Sequence, residues 1–172
     1  MDPLAAIAQP APDFSLPDLQ GTTRHLADQL GQIMVLNFWS AECPWVQRVD
    51  ESLTHLRSTW PADIVYWPIA SNANESPEEI ATAAALREML IVLMDGEQSV
   101  ADLYGAVTTP HFFVVDRQGM LRYSGAYDDV SFRQREATRS YLEQAVAALM
   151  VEQHPDPADT PPYGCALVRH SV

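Results

Sequence analysis

The chain alternates between unbroken apolar runs and stretches that place an apolar residue every three or four positions. Ile33-Met34-Val35-Leu36-Asn37-Phe38-Trp39 is almost wholly apolar and stops at Ser40, the pattern of a strand covered on both faces. A helical pattern follows over 44–60, with Val46, Val49, Leu53 and Leu56 on one face. Pro44 suits the first turn of that helix, where a missing N–H costs nothing, so Cys43 falls at or just before the helix N-terminus. Ile64-Val65-Tyr66-Trp67-Pro68-Ile69-Ala70 reads as a second buried strand, and Ser76-Pro77-Glu78-Glu79 has the capping-box spacing that opens a helix to about residue 90. A short strand at 91–94, a short helix at 98–104 closed by Gly105, and a hairpin of 111–115 with 120–124 come next. An amphipathic helix is expected over 131–150, with Asp128-Asp129 placed to cap it near Ser131 rather than to bind a metal.

The two ends read differently. The first dozen residues, rich in Ala and Pro, suggest an extended arm, and Phe14, Leu16 and Leu19 form a short strand running into a turn at Gly21. His154-Pro155-Asp156-Pro157 and Pro161-Pro162 keep the other end free of helix up to Cys165. This divides the chain into a domain of residues 1–150 and an extended C-terminal tail, 151–172. The element order predicts an α/β fold with a central mixed β-sheet flanked by helices, the order of the thioredoxin fold with an N-terminal extension and one inserted helix.

Composition narrows the function classes. Among 172 residues, 47% are apolar and 19% charged, ordinary values for a globular protein. A net charge of −13 argues against nucleic acid as a partner, because phosphate binding needs a basic surface. All ten basic residues are Arg, which excludes lysine nucleophiles and Schiff bases. No apolar run approaches the roughly 20 residues of a membrane span. Met1-Asp2-Pro3-Leu4 shows no basic region leading into an apolar stretch, so a cytoplasmic protein is expected, with a trimmed secreted form as the alternative. The five histidines contain no pair at metal-site spacing, and no cofactor is expected. Two cysteines are too few for a disulfide scaffold, which leaves them as reactive thiols or a redox pair.

A strand ending in Ser40-Ala41-Glu42-Cys43 and turning straight into a helix sets the thiol where backbone N–H groups and the positive helix end converge, which stabilises a thiolate. Glu42 opposes that effect by adding a like charge, and a small buried core cysteine remains the competing reading. Thr108-Thr109-Pro110-His111 lies just before the hairpin, where the thioredoxin fold carries a cis-proline loop facing its cysteine. His111 is then a candidate proton donor or acceptor at Cys43, against the plainer reading of a strand-end histidine turned to solvent. Trp39 and Trp45 flank the site, Trp39 expected in the core and Trp45 exposed as part of an apolar lip.

Phe38-Trp39-Ser40-Ala41-Glu42-Cys43-Pro44-Trp45-Val46 resembles the Phe-Trp-Ala-x-Trp-Cys-Pro-x-Cys segment of thioredoxin-like thiol-disulfide oxidoreductases. Ala11-Pro12-Asp13-Phe14-Ser15-Leu16 resembles the entry strand of the redoxin superfamily, alkyl hydroperoxide reductase/thiol-specific antioxidant. Cys43-Pro44-Trp45-Val46, Arg122-Tyr123-Ser124-Gly125-Ala126-Tyr127-Asp128-Asp129 and Gly164-Cys165-Ala166-Leu167-Val168 are similar, in order, to a bacterial subgroup with Cys-Pro-aromatic-Val and a C-terminal Gly-Cys segment. Val46 stands where the second cysteine of Cys-x-x-Cys belongs, and Leu36 where peroxiredoxins carry Pro. The resemblance implies a thiol oxidoreductase in which Cys43 attacks a peroxide or a protein disulfide and Cys165 or an external thiol resolves the intermediate. Ser40, Glu42, Pro44, Trp45, Thr109, Pro110 and His111 would surround it. The alternative is a binding module that kept the fold and lost catalysis with its second cysteine.

Overall fold

The computed structural model describes residues 4–172. Five strands form the central sheet: β3 (Ile33–Trp39), β4 (Ile64–Ala70), β5 (Leu93–Met94), β7 (His111–Val115) and β8 (Leu121–Gly125), in the spatial order β5-β4-β3-β7-β8. β3, β4 and β5 run parallel, while β7 and β8 are antiparallel additions on the far side of β3. β3 is thus the centre of the sheet and is buried at all seven positions, as its unbroken apolar run demands. Helix α1 (Pro44–Arg57) buries Val46, Val49, Asp50 and Leu53, and α4 (Tyr141–Met150) buries Leu142, Ala145, Val146 and Leu149. Val49, Leu53 and the α4 residues share one core with Ile33, Val35, Phe112 and Tyr123. The opposite face of the sheet packs Leu36, Phe38, Trp67 and Phe113 against α3 (Ser99–Tyr104) and the N-terminal segment around Phe14. Fold class and sheet type match the sequence expectation. α2 (Pro77–Leu86) carries the complete capping box of Ser76 and Glu79 and stops four residues earlier than expected.

Two elements and one capping assignment differ from the sequence reading. The N-terminal strand is one arm of a hairpin, β1 (Ser15–Pro17) with β2 (Thr23–His25), whose turn is held by the Asp18 carboxylate on the N–H groups of Gln20 and Thr22. Residues 131–140 are irregular, and the last helix starts only at Tyr141. That stretch carries three arginines and only two apolar residues, Phe132 and Ala137, too little to hold a helix on a core. Asp129 instead receives the N–H groups of Thr138 and Arg139, so it closes the loop rather than capping a helix at Ser131. Its neighbour Asp128 grips Arg48 of α1 bidentately, at 2.8 and 2.9 Å.

Residues 151–172 run along the domain without helix. At the β8 edge Ser124 donates its N–H to the Ala158 carbonyl and accepts the Thr160 N–H on its own carbonyl, and a Cβ at Gly125 would collide with Thr160. Farther on, β9 (Cys165–Ala166) pairs antiparallel with β6 (Thr108–Thr109), and Leu167 is buried in the core. The Val168 carbonyl accepts from Ala73 N–H and from Gln98 Nε2, and Arg169 pairs with Asp102.

Candidate active site

Cys43 is the N-cap residue of α1, with Pro44 next to it and no acidic side chain in the first turn. The turn that carries it from β3, Ser40 to Cys43, is held from two sides by opposite charges. On its N–H side, Ser40 Oγ accepts from the amides of Glu42 at 3.3 Å and Cys43 at 3.2 Å. The Ser40 hydroxyl donates in turn to Glu75 Oε1, which also accepts the Glu42 N–H at 3.2 Å. On its C=O side, Arg87 donates to the carbonyls of Ser40 and Ala41. Arg87 is paired with Asp50 at 3.0 Å, and Asp50 also accepts the Trp39 indole N–H at 2.9 Å. Burial pushes the Asp50 carboxyl above its ordinary range, against the pull of Trp39 and Arg87.

The second sulfur comes from the far end of the chain. Cys43 and Cys165 form a disulfide with a Cα separation of 6.2 Å across 122 positions. Thr109 is the register partner of Cys165, and Thr108 that of Ala166. The Thr109–Pro110 peptide bond is cis, and the Thr109 carbonyl oxygen lies 3.2 Å from Cys43 Sγ. In a reduced site that carbonyl would accept the Cys43 S–H. A Cβ at residue 164 would strike the Thr109 carbonyl and come within 2.9 Å of Pro110 Cδ, so only glycine fits there without the tail moving off β6. Tyr163 meets the edge of Trp45 with ring centroids 4.9 Å apart, and Phe132 stands 5.3 Å from the same indole. Cys43 is 4% exposed, whereas Cys165 is half-buried.

Most of the residues singled out in the sequence converge here. Cys43, Ser40, Glu42, Pro44, Trp45, Thr109, Pro110 and Cys165 all belong to the turn, the β6–β9 pair or the aromatic wall beside it. Trp39 is fully buried; Trp45 is half-buried rather than exposed, because Tyr163 and Phe132 pack on it. Val46 is fully buried, which leaves the second thiol to the tail. His111 is buried rather than turned to solvent, and both ring nitrogens are engaged away from the sulfurs. Nδ1 accepts the Val107 N–H, which places the proton on Nε2 facing Ser124 Oγ. Burial lowers its pKa to about 4, so the ring is neutral at physiological pH. Glu75, Arg87 and Asp50 escaped the sequence reading. Asp50 alone carried a signal there, as an acidic residue beside Val49 on the apolar stripe of α1. Among the described residues no cluster of metal-ligating side chains occurs.

Residues 7–124 match the AhpC/TSA family. The chain belongs to that family. Thiol-disulfide oxidoreductase ResA of Geobacillus thermodenitrificans is 26% identical over 125 residues, 68% of this chain and 67% of that protein. The structure of a hypothetical protein from Sinorhizobium meliloti 1021 superposes with a TM-score of 0.87 at 28% identity, over 97% of this chain and 96% of that one. A putative thiol:disulfide interchange protein DsbE from Chlorobium tepidum, at TM-score 0.67 and 19% identity over 86% of this chain and 96% of that one, shares the thioredoxin-like fold. The redox-active centre of this AhpC/TSA-family protein is the Cys43–Cys165 pair, and the protein is a thiol oxidoreductase.

Proposed function

We propose that this AhpC/TSA-family chain exchanges disulfides with protein partners, with Cys43 as the nucleophile and Cys165 as the resolving thiol. The disulfide that joins the α1 N-cap to the β9 edge strand is the observation that carries this reading. Relatives named for thiol-disulfide oxidoreduction and thiol:disulfide interchange support it.

In the reduced chain, Cys43 loses its proton and the thiolate attacks one sulfur of the partner's disulfide. The partner's other sulfur leaves as a thiolate. Cys165, deprotonated in its turn, attacks the Cys43 sulfur of the mixed disulfide and releases the partner's second thiol. Two electrons pass to the partner, and the chain ends in the disulfide state described above. An external dithiol resets the cycle, its second thiol displacing the first from Cys165. It meets the half-buried Cys165 sulfur first, because Cys43 lies beneath the tail, and Cys43 departs as the thiolate at the helix N-terminus.

Trapping tests this scheme. Cys165→Ser should accumulate a mixed disulfide on Cys43 when mixed with a disulfide-bonded protein such as oxidised insulin, and Cys43→Ser should not. If neither oxidised insulin nor oxidised glutathione forms an adduct while hydrogen peroxide oxidises Cys43, the assignment of protein disulfides as substrate fails.

A further inference from the structure

Glu75 has no part in the exchange scheme, yet it is the buried anion nearest the reactive turn by hydrogen bonds. It is 8% exposed, and only one of its oxygens is used. Oε1 accepts from the Ser40 hydroxyl and the Glu42 amide, while Oε2 is buried with no hydrogen-bond partner among the described residues. A buried carboxylate oxygen without a donor is costly, and scaffold purposes alone are met by Oε1. Its effect on the site is electrostatic. The Ser40 hydroxyl that binds Glu75 is the same one that takes up the Cys43 N–H, so the carboxylate sits two hydrogen bonds from the reactive residue's own amide.

The other charges around Cys43 do not offset it. Arg87 faces the turn from the end of α2, but its charge is matched by Asp50 of α1 in an ion pair. His111 of β7 is neutral, with its nitrogens turned to Val107 and Ser124. Glu42, on the turn itself, is exposed and screened by solvent. The α1 N-terminus favours a thiolate, and the Thr109 carbonyl 3.2 Å from Cys43 Sγ favours a thiol. Among the described residues, Glu75 is therefore a buried carboxylate beside this turn with no cation in salt-bridge contact.

We propose that Glu75 is a positioning residue that sets the charge state of Cys43, holding the reduced sulfur in its thiol form near neutral pH and so keeping the Cys43–Cys165 couple reducing. It rests on the reading of Cys43 as the exchanging sulfur. A stabilised thiolate favours the dithiol state and makes a couple more oxidising, so removing the anion should push both quantities in that direction.

The test reads Cys43 alone, as the rate of iodoacetamide alkylation against pH in a Cys165→Ser background. Glu75→Gln keeps an acceptor for Ser40 and removes the charge. It should raise the alkylation rate at pH 6 about tenfold while leaving the plateau at high pH unchanged. Glu75→Asp, which keeps the charge but shortens the reach to Ser40, should follow the parent profile, an outcome a purely structural role would not give. Glu42→Gln should change the rate less than threefold. With Cys165 present, Glu75→Gln should also shift the glutathione equilibrium about tenfold toward the dithiol. A Glu75→Gln profile that superimposes on the parent or moves to higher pH overturns the proposal, as does a Glu75→Asp profile shifted like that of Glu75→Gln. If dithiothreitol cannot open the Cys43–Cys165 disulfide, the exchange scheme itself has failed rather than the role of Glu75.

Discussion

The two halves of the redox pair are held in opposite ways. Cys43 sits on a turn anchored by the central strand, the first turn of α1, Glu75 and the Arg87–Asp50 pair. Cys165 sits on a two-residue edge strand held by β6, an aromatic contact and the disulfide itself. One sulfur is fixed by the core; the other lies on a two-residue strand between the loosely held 161–164 stretch and the anchored Leu167 to Arg169. In the proposed exchange Cys165 would have to leave to admit a partner and return to displace it, and a short edge strand suits that task.

The sharpest way to test this contrast is to break the disulfide. On reduction, amide exchange should accelerate by orders of magnitude at 163–166 and change little at 40–46; equal acceleration in both would refute the division. The same reduction removes the constraint on a loop spanning 122 positions, worth about 4–5 kcal/mol in the chain-entropy model. Urea unfolding of the oxidised and reduced chains measures it.

On the fixed half, Arg87→Met should destabilise the protein by about 3 kcal/mol, because it leaves Asp50 buried without its cation. The Asp50 carboxyl is raised in the fold, so the native state binds its proton more readily than the unfolded chain. This site therefore gains stability as pH falls and loses it as pH rises through the raised value. The penalty of Arg87→Met should be larger at pH 8 than at pH 5, and a pH-independent penalty would contradict that assignment.

His111 has the opposite sign. With its pKa lowered to about 4 against 6.5 in the unfolded chain, its contribution is complete above pH 6.5 and is lost as pH falls toward 4. The loss is on the order of 3 kcal/mol at most. His111→Gln should flatten that part of the stability profile, as read by denaturant midpoints across the range. The smallest effect belongs to the movable half. Gly164→Ala should press the tail away from Thr109 and shift the glutathione equilibrium about tenfold toward the dithiol, with little change in the stability of the reduced chain.

The legibility of the sequence follows the same division. The apolar run of β3, the stripe of α1 and Pro44 at its start placed Cys43 correctly, because local periodicity and capping decide those features. Thr109-Pro110 could be placed by its position before the hairpin. The irregular 131–140 stretch was misread as helix, since its sparse apolar residues could not outweigh the Asp129 contacts to Thr138 and Arg139. Glu75 and Arg87 left no local signal. One precedes a helix cap and the other ends a helix, and only the folded chain brings both to the Ser40–Cys43 turn. The Cys43–Cys165 pairing was foreseeable by count, there being two cysteines, but its geometry depends on the tail's route past β8.

The disulfide also has a topological consequence. It closes a covalent ring from residue 43 to residue 165 that contains β4 and β7 but not β3, although β3 is the strand that lies between them. A chain oxidised before β3 docks would present two open strand edges inside a closed ring, free to pair with each other or with another molecule. The ring favours an order of assembly in which the central strand is seated before the sulfur–sulfur bond is made. A chain cross-linked while unfolded should accordingly recover its structure more slowly than the dithiol chain, and equal recovery rates would show that β3 can enter a closed ring freely.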